Sequence, residues 1–462
     1  MRNCQIVKWS NCEMVKLSNI YMKIFITATV ALLLMPASVL AQQQWSLRQC
    51  IDYAVEHNIQ VKQREVSRMQ RELDVNTAKN SRLPDLSASA SESFSFGRGL
   101  TAQNTYSNTN TSSTSFNLSS SVPLFTGYRI PRTLEMQKLN LEAATADLEK
   151  AKNDIRMQVA QAYVQILYNL ELCEVANRQI EIDSMHVHRL TEMMKNGKAS
   201  GTEVAQQEAS LAQSRLTATQ ADNDYRLSLL SLTQLLELPS PEGFTISREV
   251  NQELWNEVHT LPSPDVIYQE ALIIKPEIQA EQSRLASSAK NIDIAKSAKL
   301  PSLSLSGGLG TNYYKTSGLP GDKFFKQLNN NFSQFLGLSL NVPIFNRFET
   351  RNNIKNAQLN QYNQQLQLDN VKKNLYKEIQ QAYYNAVTSE AKYQSSEQAK
   401  RSQEEAFRLM SAKYEYGKAN ITEFNEAKNN LMKAESDLVR AKYEYLYQNA
   451  LIDFYRGKDL SF

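Results

Sequence analysis

Residues 78–84 read AKNSRLP and residues 295–301 read AKSAKLP, so the motif returns with its residue numbers shifted by 295 − 78 = 217. Three further stretches occur twice, each with a shift of 342 − 122 = 220 in residue number. They are VPLF at 122–125 and VPIF at 342–345, QAY at 161–163 and 381–383, and NGKA at 196–199 and YGKA at 416–419. Four matches in the same order identify a tandem duplication, so the structural unit is about half of the chain.

The charge of the chain excludes one class of partner. The 462 residues carry a formal net charge of +3, and charges of both signs are spread along the sequence. Nucleic-acid-binding proteins concentrate Lys and Arg in an arm or on one face. Because no such basic arm is present in the sequence, we expect no nucleic-acid partner.

Residues 22–41 have the pattern of a secretory signal peptide. Lys23 supplies the positive start, residues 24–35 form a mostly apolar run, and small residues precede a predicted cleavage site ahead of Gln42. The apolar run is too short to span a bilayer as a helix. We therefore expect translation to start at Met22 and residues 1–41 to be an extension followed by the signal peptide.

Cysteines and hydropathy restrict the mature chain further. Cys4 and Cys12 precede the predicted cleavage site, and Cys50 and Cys173 are too few for a disulfide framework. The mean hydropathy is −0.47, and no later stretch reads as a membrane-spanning helix. If the mature protein enters a membrane, the sequence predicts that it does so as strands.

Two long helices are predicted where Gly and Pro are missing. None occurs between Pro131 and Gly197 or between Pro343 and Gly417, and both gaps are rich in helix-forming residues. Each predicted helix of roughly 65 residues is on the order of 100 Å long. Apolar residues recur every seven positions and predict coiled-coil packing. In the first helix they are Leu134, Leu141, Leu148 and Ile155, then Val159, Ile166, Cys173, Ile180, Val187 and Met194.

Each long helix has shorter neighbours. We predict return helices over about 202–237 and 422–456, and preceding helices over about 46–80 and 265–298. Each preceding helix is separated from its long helix by two strands around a polar loop, at 101–115 and 311–334.

The strands show period-two alternation. Apolar residues alternate with small or polar ones, and Glu92 interrupts the apolar face. Such strands are long enough to cross a bilayer. The alternating apolar residues include Leu86, Ala88, Ala90, Phe94 and Phe96, and in the second half Leu336, Leu338 and Leu340. Four strands cannot close a membrane barrel, so several chains are expected to contribute.

At this level the sequence resembles the TolC family of outer-membrane efflux proteins, over about residues 45–457. The resemblance rests on the duplicated Leu-Pro at 83–84 and 300–301, the duplicated Val-Pro-hydrophobic-Phe motif, and the turns around Gly197 and Gly417. Gly127 matches a family glycine, but Arg347 occupies its place in the second half. The resemblance therefore does not predict the same backbone bend there.

The resemblance implies a mainly α fold with a β-barrel portion. Three chains form an α-helical, coiled-coil tunnel and share a twelve-stranded barrel in outer-membrane lipid. It also implies domain boundaries: repeat 1 at 42–240, a linker or equatorial segment at 241–262, repeat 2 at 263–456, and a tail at 457–462. Its partners are a periplasmic adaptor and an inner-membrane transporter, and the chain is a passive exit duct.

The resemblance also places functional residues at the helix tips. Acidic rings at the closed periplasmic end correspond to Thr202, Glu203, Glu423 and Glu426, which as rings of like charge would favour cations. An alternative stays open, because Ser200 with Glu203, and Asn420 with Glu423, have capping-box spacing and start helices. The tips expected to dock the adaptor contain Gly197, Lys198, Gly417 and Lys418.

Tyr414 matches a tyrosine that in the family latches the coils, and its alternative role is packing in the coiled-coil seam. The basic latch partner corresponds to Ala419, so the adjacent Lys418 is the substitute candidate. His186 and His188 point to different helix faces and make a poor metal pair, so surface positions are expected for both. No catalytic, cofactor or metal motif is present.

Two other classes compete with the channel. A secreted or surface helical scaffold or adhesin would use the strands in a soluble sheet and form no pore. An extracytoplasmic enzyme would need a catalytic constellation that the sequence does not contain. Within the family the sequence does not identify the cargo, the adaptor or the pump.

Overall fold

The structure is a computed structural model that describes residues 44–100, 104–108, 110–248, 261–317 and 319–460. The predicted signal peptide and residues 249–260 of the predicted linker lie outside the described residues. The first half contains, in order, β1 (Gln44–Trp45), α1 (Leu47–His57), α2 (Ile59–Asn80), β2 (Ser87–Ser95), β3 (Arg98–Leu100), β4 (Tyr106–Asn108), β5 (Thr111–Phe125), α3 (Arg129–Lys195), α4 (Gly201–Leu235) and β6 (Thr245–Ile246).

The second half repeats this order. It contains α5 (Pro264–Ile274), α6 (Pro276–Ser297), β7 (Ser302–Thr316), α7 (Phe324–Asn330), β8 (Ser333–Asn341), α8 (Glu349–Glu415) and α9 (Ile421–Tyr455). The long helices α3 and α8 have 67 residues each, and the return helices α4 and α9 have 35 each. The duplication read from the sequence is therefore present in the structure for every helix except α7, which occupies the loop between the strands of the second half. We refer to α3 with α4 as hairpin 1 and to α8 with α9 as hairpin 2.

The predicted helices at 46–80 and 265–298 are each interrupted once. Asn58 and Lys275 have extended backbone, with ψ of 132° and 125°, and each separates two helices. The Asn58 side chain accepts a hydrogen bond from the Gln60 N–H and so starts α2. Lys275 precedes Pro276, and a proline disfavours helical backbone in the residue before it. Local capping chemistry thus explains a break that helical periodicity did not reveal.

The helices pack side by side in one layer. Next to the sheet the order is α2, α3, α6, α8, and at the opposite end it is α4, α3, α9, α8. The middle of the predicted apolar stripe of α3 lies in the core, since Ile155, Val159 and Ile166 are at most 1% exposed. Met194, at the tip end of the stripe, is 38% exposed. None of the described helices combines the length and apolar character needed to cross a bilayer.

The main sheet is antiparallel with strand order β2-β5-β7-β8. The two halves of the chain meet where β5 pairs with β7, with Leu118 opposite Leu309. β2 and β8 are the edge strands in the described part of the chain. β7 runs through Thr316 and α7 follows, so the predicted loop at 311–334 is partly structured. Likewise β4 and the start of β5 lie in the predicted loop at 101–115.

One face of this sheet is apolar and open to the surroundings. Phe94, Leu336 and Leu338 are 64%, 80% and 64% exposed, as the alternation in the sequence predicts. The charged exception, Glu92, is hydrogen-bonded by Ser112 at 2.6 Å and by Thr114 on the neighbouring β5. The face therefore consists of apolar side chains together with one carboxylate that has its own donors.

The bend from the sheet into the long helix is the same in both halves. Gly127 and Tyr128 have φ of 61° and 63°, and Arg347 and Phe348 have φ of 52° and 62°. A Cβ on Gly127 would lie 2.7 Å from the Ser297 carbonyl oxygen. The sequence did not predict this bend in the second half, because no glycine is present there. The structure nevertheless has the bend, and two residues in left-handed conformation form it.

Candidate functional site

Two tight turns form the helical tip at the end remote from the sheet. Gly197 and Gly417 have φ of 70° and 68°, a conformation that glycine adopts without strain. Around the first turn, Gly197 N–H donates to the Met194 carbonyl at 2.9 Å and Lys198 N–H to the Met193 carbonyl at 2.8 Å. This is the Schellman arrangement, and the second turn repeats it. Lys198 and Lys418 are exposed next to these glycines.

Both predicted capping boxes are present. The Glu203 carboxylate accepts a hydrogen bond from Ser200 N–H at 2.8 Å, and the Glu423 carboxylate accepts one from Asn420 N–H at 2.9 Å. Ser200 and Asn420 in turn accept hydrogen bonds from the N–H groups of these glutamates. Both glutamates therefore start the return helices, whatever further role their charges have.

The other predicted acidic-ring positions lie on the outside of the single chain. Thr202 is exposed on the first turn of α4, and Glu426 is exposed one turn beyond the capping box of α9. Glu426 has no hydrogen bond or ion pair among the described residues, so its carboxylate is available to a neighbouring chain or to the solvent.

An aromatic cluster closes the tip from inside. Phe424 of α9 is fully buried and packs on Tyr414 and Phe407 of α8, with ring centroids 5.0 Å and 5.5 Å away. Burial, with a smaller contribution from the Glu203 carboxylate, raises the pKa of the Tyr414 phenol. Tyr414 is thus a packing residue of the coiled-coil seam whose hydroxyl lies in the electrostatic field of hairpin 1.

His186 is not at the surface, in contrast to the sequence expectation. Its ring packs on Phe424 at 4.4 Å, and its Nδ1 is buried without a hydrogen-bond partner in the described structure. Burial and the nearby Arg189 and Lys428 lower its pKa, and Asp183 and Glu415 oppose this shift. His188, on the same helix, is exposed as expected. The expectation for His186 was wrong because α9 covers this face of α3, a contact between halves that the sequence pattern of α3 does not show.

Three ion pairs join the two hairpins at three levels. Glu171 of α3 bonds Lys442 of α9 at 2.9 Å, and nearer the tip Arg189 of α3 bonds Glu415 of α8 at 3.1 Å. Between them, Asp183 of α3 bonds Lys428 of α9, and both side chains are buried. The sequence reasoning missed this buried pair. Its signal was a charged residue inside the apolar stripe, three positions after Ile180 and four before Val187.

The described residues contain no group of three or more His, Cys, Asp or Glu side chains that could hold a metal ion. The two cysteines of the predicted mature chain are free, and burial raises the pKa of the Cys50 thiol to about 12. Cys50 is therefore an unreactive packing residue.

Comparison with known families identifies the chain. The model of the outer membrane efflux protein family matches residues 50–237 and 267–457. The chain belongs to this family. The two matched ranges are the two halves of the duplication, and membership places the chain in the outer membrane. The family consists of channel and transport proteins and not of enzymes.

Individual members of the outer membrane efflux protein family resemble the chain at moderate identity. The outer membrane protein TolC of Escherichia coli strain K12 is 23% identical over 380 residues, which is 80% of this chain and 74% of TolC. The pyoverdine export outer membrane protein OpmQ of Pseudomonas putida is 26% identical over 244 residues, 52% of this chain. The chain spans about half the length of this relative (48%).

Solved structures of outer membrane proteins share the fold. The Campylobacter jejuni CmeC channel aligns with a TM-score of 0.74 at 20% identity, covering 90% of this chain and 86% of CmeC. The VceC protein of Vibrio cholerae aligns with a TM-score of 0.71 at 17% identity, covering 90% of this chain and 97% of VceC.

Proposed function

We propose that the chain is the outer-membrane exit duct of a tripartite efflux or secretion system. One observation carries the proposal: the elements at the free edges of the chain are the duplicated counterparts of the elements through which its two halves pack together. Inside the chain, the halves meet where β5 pairs with β7 and where α3 packs on α9. Under the duplication, the counterparts of these elements are β8, β2, α8 and α4.

Those counterpart elements lie at the free edges of the chain. β8 and β2 are the edge strands of the sheet, and α8 and α4 end the helical layer near the tip, in the described part of the chain. A second copy can therefore pack against the first in the same way that the two halves pack together. Such head-to-tail contacts close into a ring when the rotation fits. Three copies supply twelve strands, and the two halves of each give six hairpins.

The exposed apolar face of the sheet suits the outer wall of such a barrel. Strands β5 and β7 have 15 residues each, more than the roughly 9–11 that cross a bilayer at a tilt. The helical layer then continues the barrel as a periplasmic tunnel on the order of 100 Å long. The repeat boundaries 42–240 and 263–456, with a linker at 241–262, belong to this proposal.

The tips of the tunnel are the proposed contact with the other components. A periplasmic adaptor docks on the turns at Gly197, Lys198, Gly417 and Lys418, and an inner-membrane transporter supplies the energy and selects the cargo. Glu203, Glu423 and Glu426, with Thr202, line the narrow end, and Tyr414 holds it shut with help from Lys418. A glutamate that caps a helix through its carboxylate can still contribute its negative charge to a ring, so capping and gating are compatible.

The native mass of the mature protein tests the proposal. The protein would be extracted in mild detergent from an outer-membrane fraction, and its oligomeric mass measured. A trimer that requires detergent is expected. A water-soluble monomer would overturn the proposal of an exit duct. It would favour the secreted or surface scaffold, in which something other than lipid covers the apolar face of the sheet.

A further inference from the structure

A single buried carboxylate connects three helices near the tip. Asp183 of α3 and Lys428 of α9 form an ion pair with 0% and 2% of their side chains exposed. Asp183 also accepts hydrogen bonds from Gln207 at 3.0 Å and from Ser214 at 2.5 Å, both on α4. Lys428 also donates to Ser210 of α4 at 2.9 Å. The carboxylate of hairpin 1 thus has Lys428 of hairpin 2 as its countercharge.

This network is missing from the duplicated half. With the shift of 220 in residue number, Asp183 corresponds to Gln403 on α8, and Lys428 corresponds to Glu208 on α4. The side-chain amides of Gln179 and Gln207 and the hydroxyl of Ser214 donate to Asp183, and these donors are also lost. Gln179, Gln207 and Ser214 correspond to Ala399, Ala427 and Ala434.

The two more exposed ion pairs between the hairpins also lack counterparts. Glu171 and Lys442 correspond to Ala391 and Asp222, and Arg189 and Glu415 correspond to Leu409 and Lys195. The seam between the two hairpins of one chain therefore contains three ion pairs. The residues at the corresponding positions of the seam between neighbouring chains form no pair of opposite charge.

We propose that Asp183 and Lys428 pin the two hairpins of one chain into a single rigid body, so that the helical end of the assembled ring parts at the seams between chains. The second half of this proposal rests on the ring proposed above. Separating a buried ion pair leaves two charges without their countercharges in a poorly solvated site, which is strongly unfavourable. Parting Gln403 from Glu208 carries no such penalty, because Gln403 is uncharged and no ion pair is separated. Asp183 and Lys428 are therefore positioning residues. Around the ring, the contact between the two hairpins of one chain alternates with a weaker contact between hairpins of neighbouring chains.

Spin-label distances at the tips test the proposal. Lys198 and Lys418 are exposed, occupy equivalent turns and take part in no ion pair in the described structure. Lys198→Cys/Lys418→Cys chains, in a Cys173→Ala background and mixed with excess unlabelled chain, report the distance within one chain. A mixture of chains labelled only at Lys198→Cys with chains labelled only at Lys418→Cys reports the distance between these two sites on neighbouring chains. We expect a narrower distribution within a chain than between chains.

A pair of matched variants separates the pin from general stability. Asp183→Leu/Lys428→Met replaces the ion pair with apolar side chains of similar size, an exchange that often preserves stability. We expect it to broaden the distribution within a chain to the width found between chains. The control, Gln403→Leu/Glu208→Met, makes the same side chains at the duplicated positions and is expected to leave the distribution within a chain unchanged.

Each result decides between the alternatives. A distribution within the unmodified chain that is as broad as that between chains overturns the proposal, and this comparison does not depend on how the variants fold. A folded Asp183→Leu/Lys428→Met protein with an unchanged narrow distribution overturns it as well. The distance within one chain can be measured in a monomer, so a native mass that refutes the trimer leaves the pin itself open to test.

Discussion

Asn58 and Lys275, which the duplication places at equivalent positions, both donate a hydrogen bond to the last turn of a return helix. Asn58 Nδ2 lies 3.0 Å from the Leu235 carbonyl oxygen, and Lys275 Nζ lies 3.4 Å from the Phe454 carbonyl oxygen. Both side chains are buried. The Lys275 ammonium also lies over the Phe454 ring, 4.2 Å from its centroid. Two different residues therefore fasten the short helices to the return helices in the two halves.

Asn58→Ala is expected to destabilise the protein by about 1–3 kcal/mol, because it removes an N-cap and the donor to the Leu235 carbonyl in a partly buried contact. The midpoint of denaturant unfolding in detergent measures this. The control is Asn76→Ala on the same helix, where the side chain is exposed and bonds only Asn80. Equal losses for the two variants would contradict the role of Asn58.

Lys428→Met is expected to cost about 3–5 kcal/mol, because the buried Asp183 carboxylate then has no countercharge. Asp183→Leu/Lys428→Met is expected to recover most of this loss in the same unfolding measurement, since no charge remains buried. If the single variant were as stable as the unmodified protein, the pair would not be buried as described.

The two bends at the sheet boundary predict opposite responses. Gly127→Ala is expected to destabilise by more than about 1 kcal/mol, the approximate strain of left-handed backbone in a residue with a Cβ, because that Cβ would also meet the Ser297 carbonyl. Arg347→Gly removes strain of the same size and is expected to be neutral or stabilising. Thermal unfolding of both variants measures the difference, and an unaffected Gly127→Ala protein would refute the close approach.

Acidification is expected to weaken the tip through His186. Its pKa is lowered in the folded protein by burial, Arg189 and Lys428, so the folded state binds fewer protons at this site than the unfolded state. Stability is therefore lost as the pH falls from about 6.5 through the lowered folded pKa. His186→Gln is expected to reduce the loss of stability between about pH 7.5 and pH 5.5. His57→Gln, on α1 and remote from the tip, provides the control, and an equal effect of both variants would exclude a special role for His186.

Cation preference in bilayer recordings tests the proposed acidic rings. Glu423→Gln keeps a residue that can complete the capping box and removes only the charge. Combined with Glu426→Gln, it is expected to weaken cation selectivity without loss of thermal stability. Glu65→Gln on α2, remote from the tips, is the control. Unchanged selectivity of the double variant would eliminate these residues as the gate.

Sequence reasoning was successful where the signal is local or repeated. The two long helices, the Gly197 and Gly417 turns and the alternating strands each follow from residue spacing, propensity or backbone freedom. The breaks at Asn58 and Lys275 were missed although their signals, an N-cap asparagine and Pro276, are local, because helical periodicity alone does not reveal them. Asp183 and His186 were missed for a different reason, since their partners on α9 come from the other half of the chain.

Because the helices have equal lengths in the two halves, the turns at Gly197 and Gly417 lie at the same distance from the sheet. The two shifts in residue number differ by 220 − 217 = 3, and this difference falls in the strands and their loops, between α6 and α8. An insertion there lengthens only a loop or strand. One extra residue in α3 would move its turn by about 1.5 Å and rotate it by about 100° relative to that of α8. Insertions and deletions are therefore tolerated in the strands and loops of the sheet end, while the lengths of the long helices and the positions of their turns stay fixed.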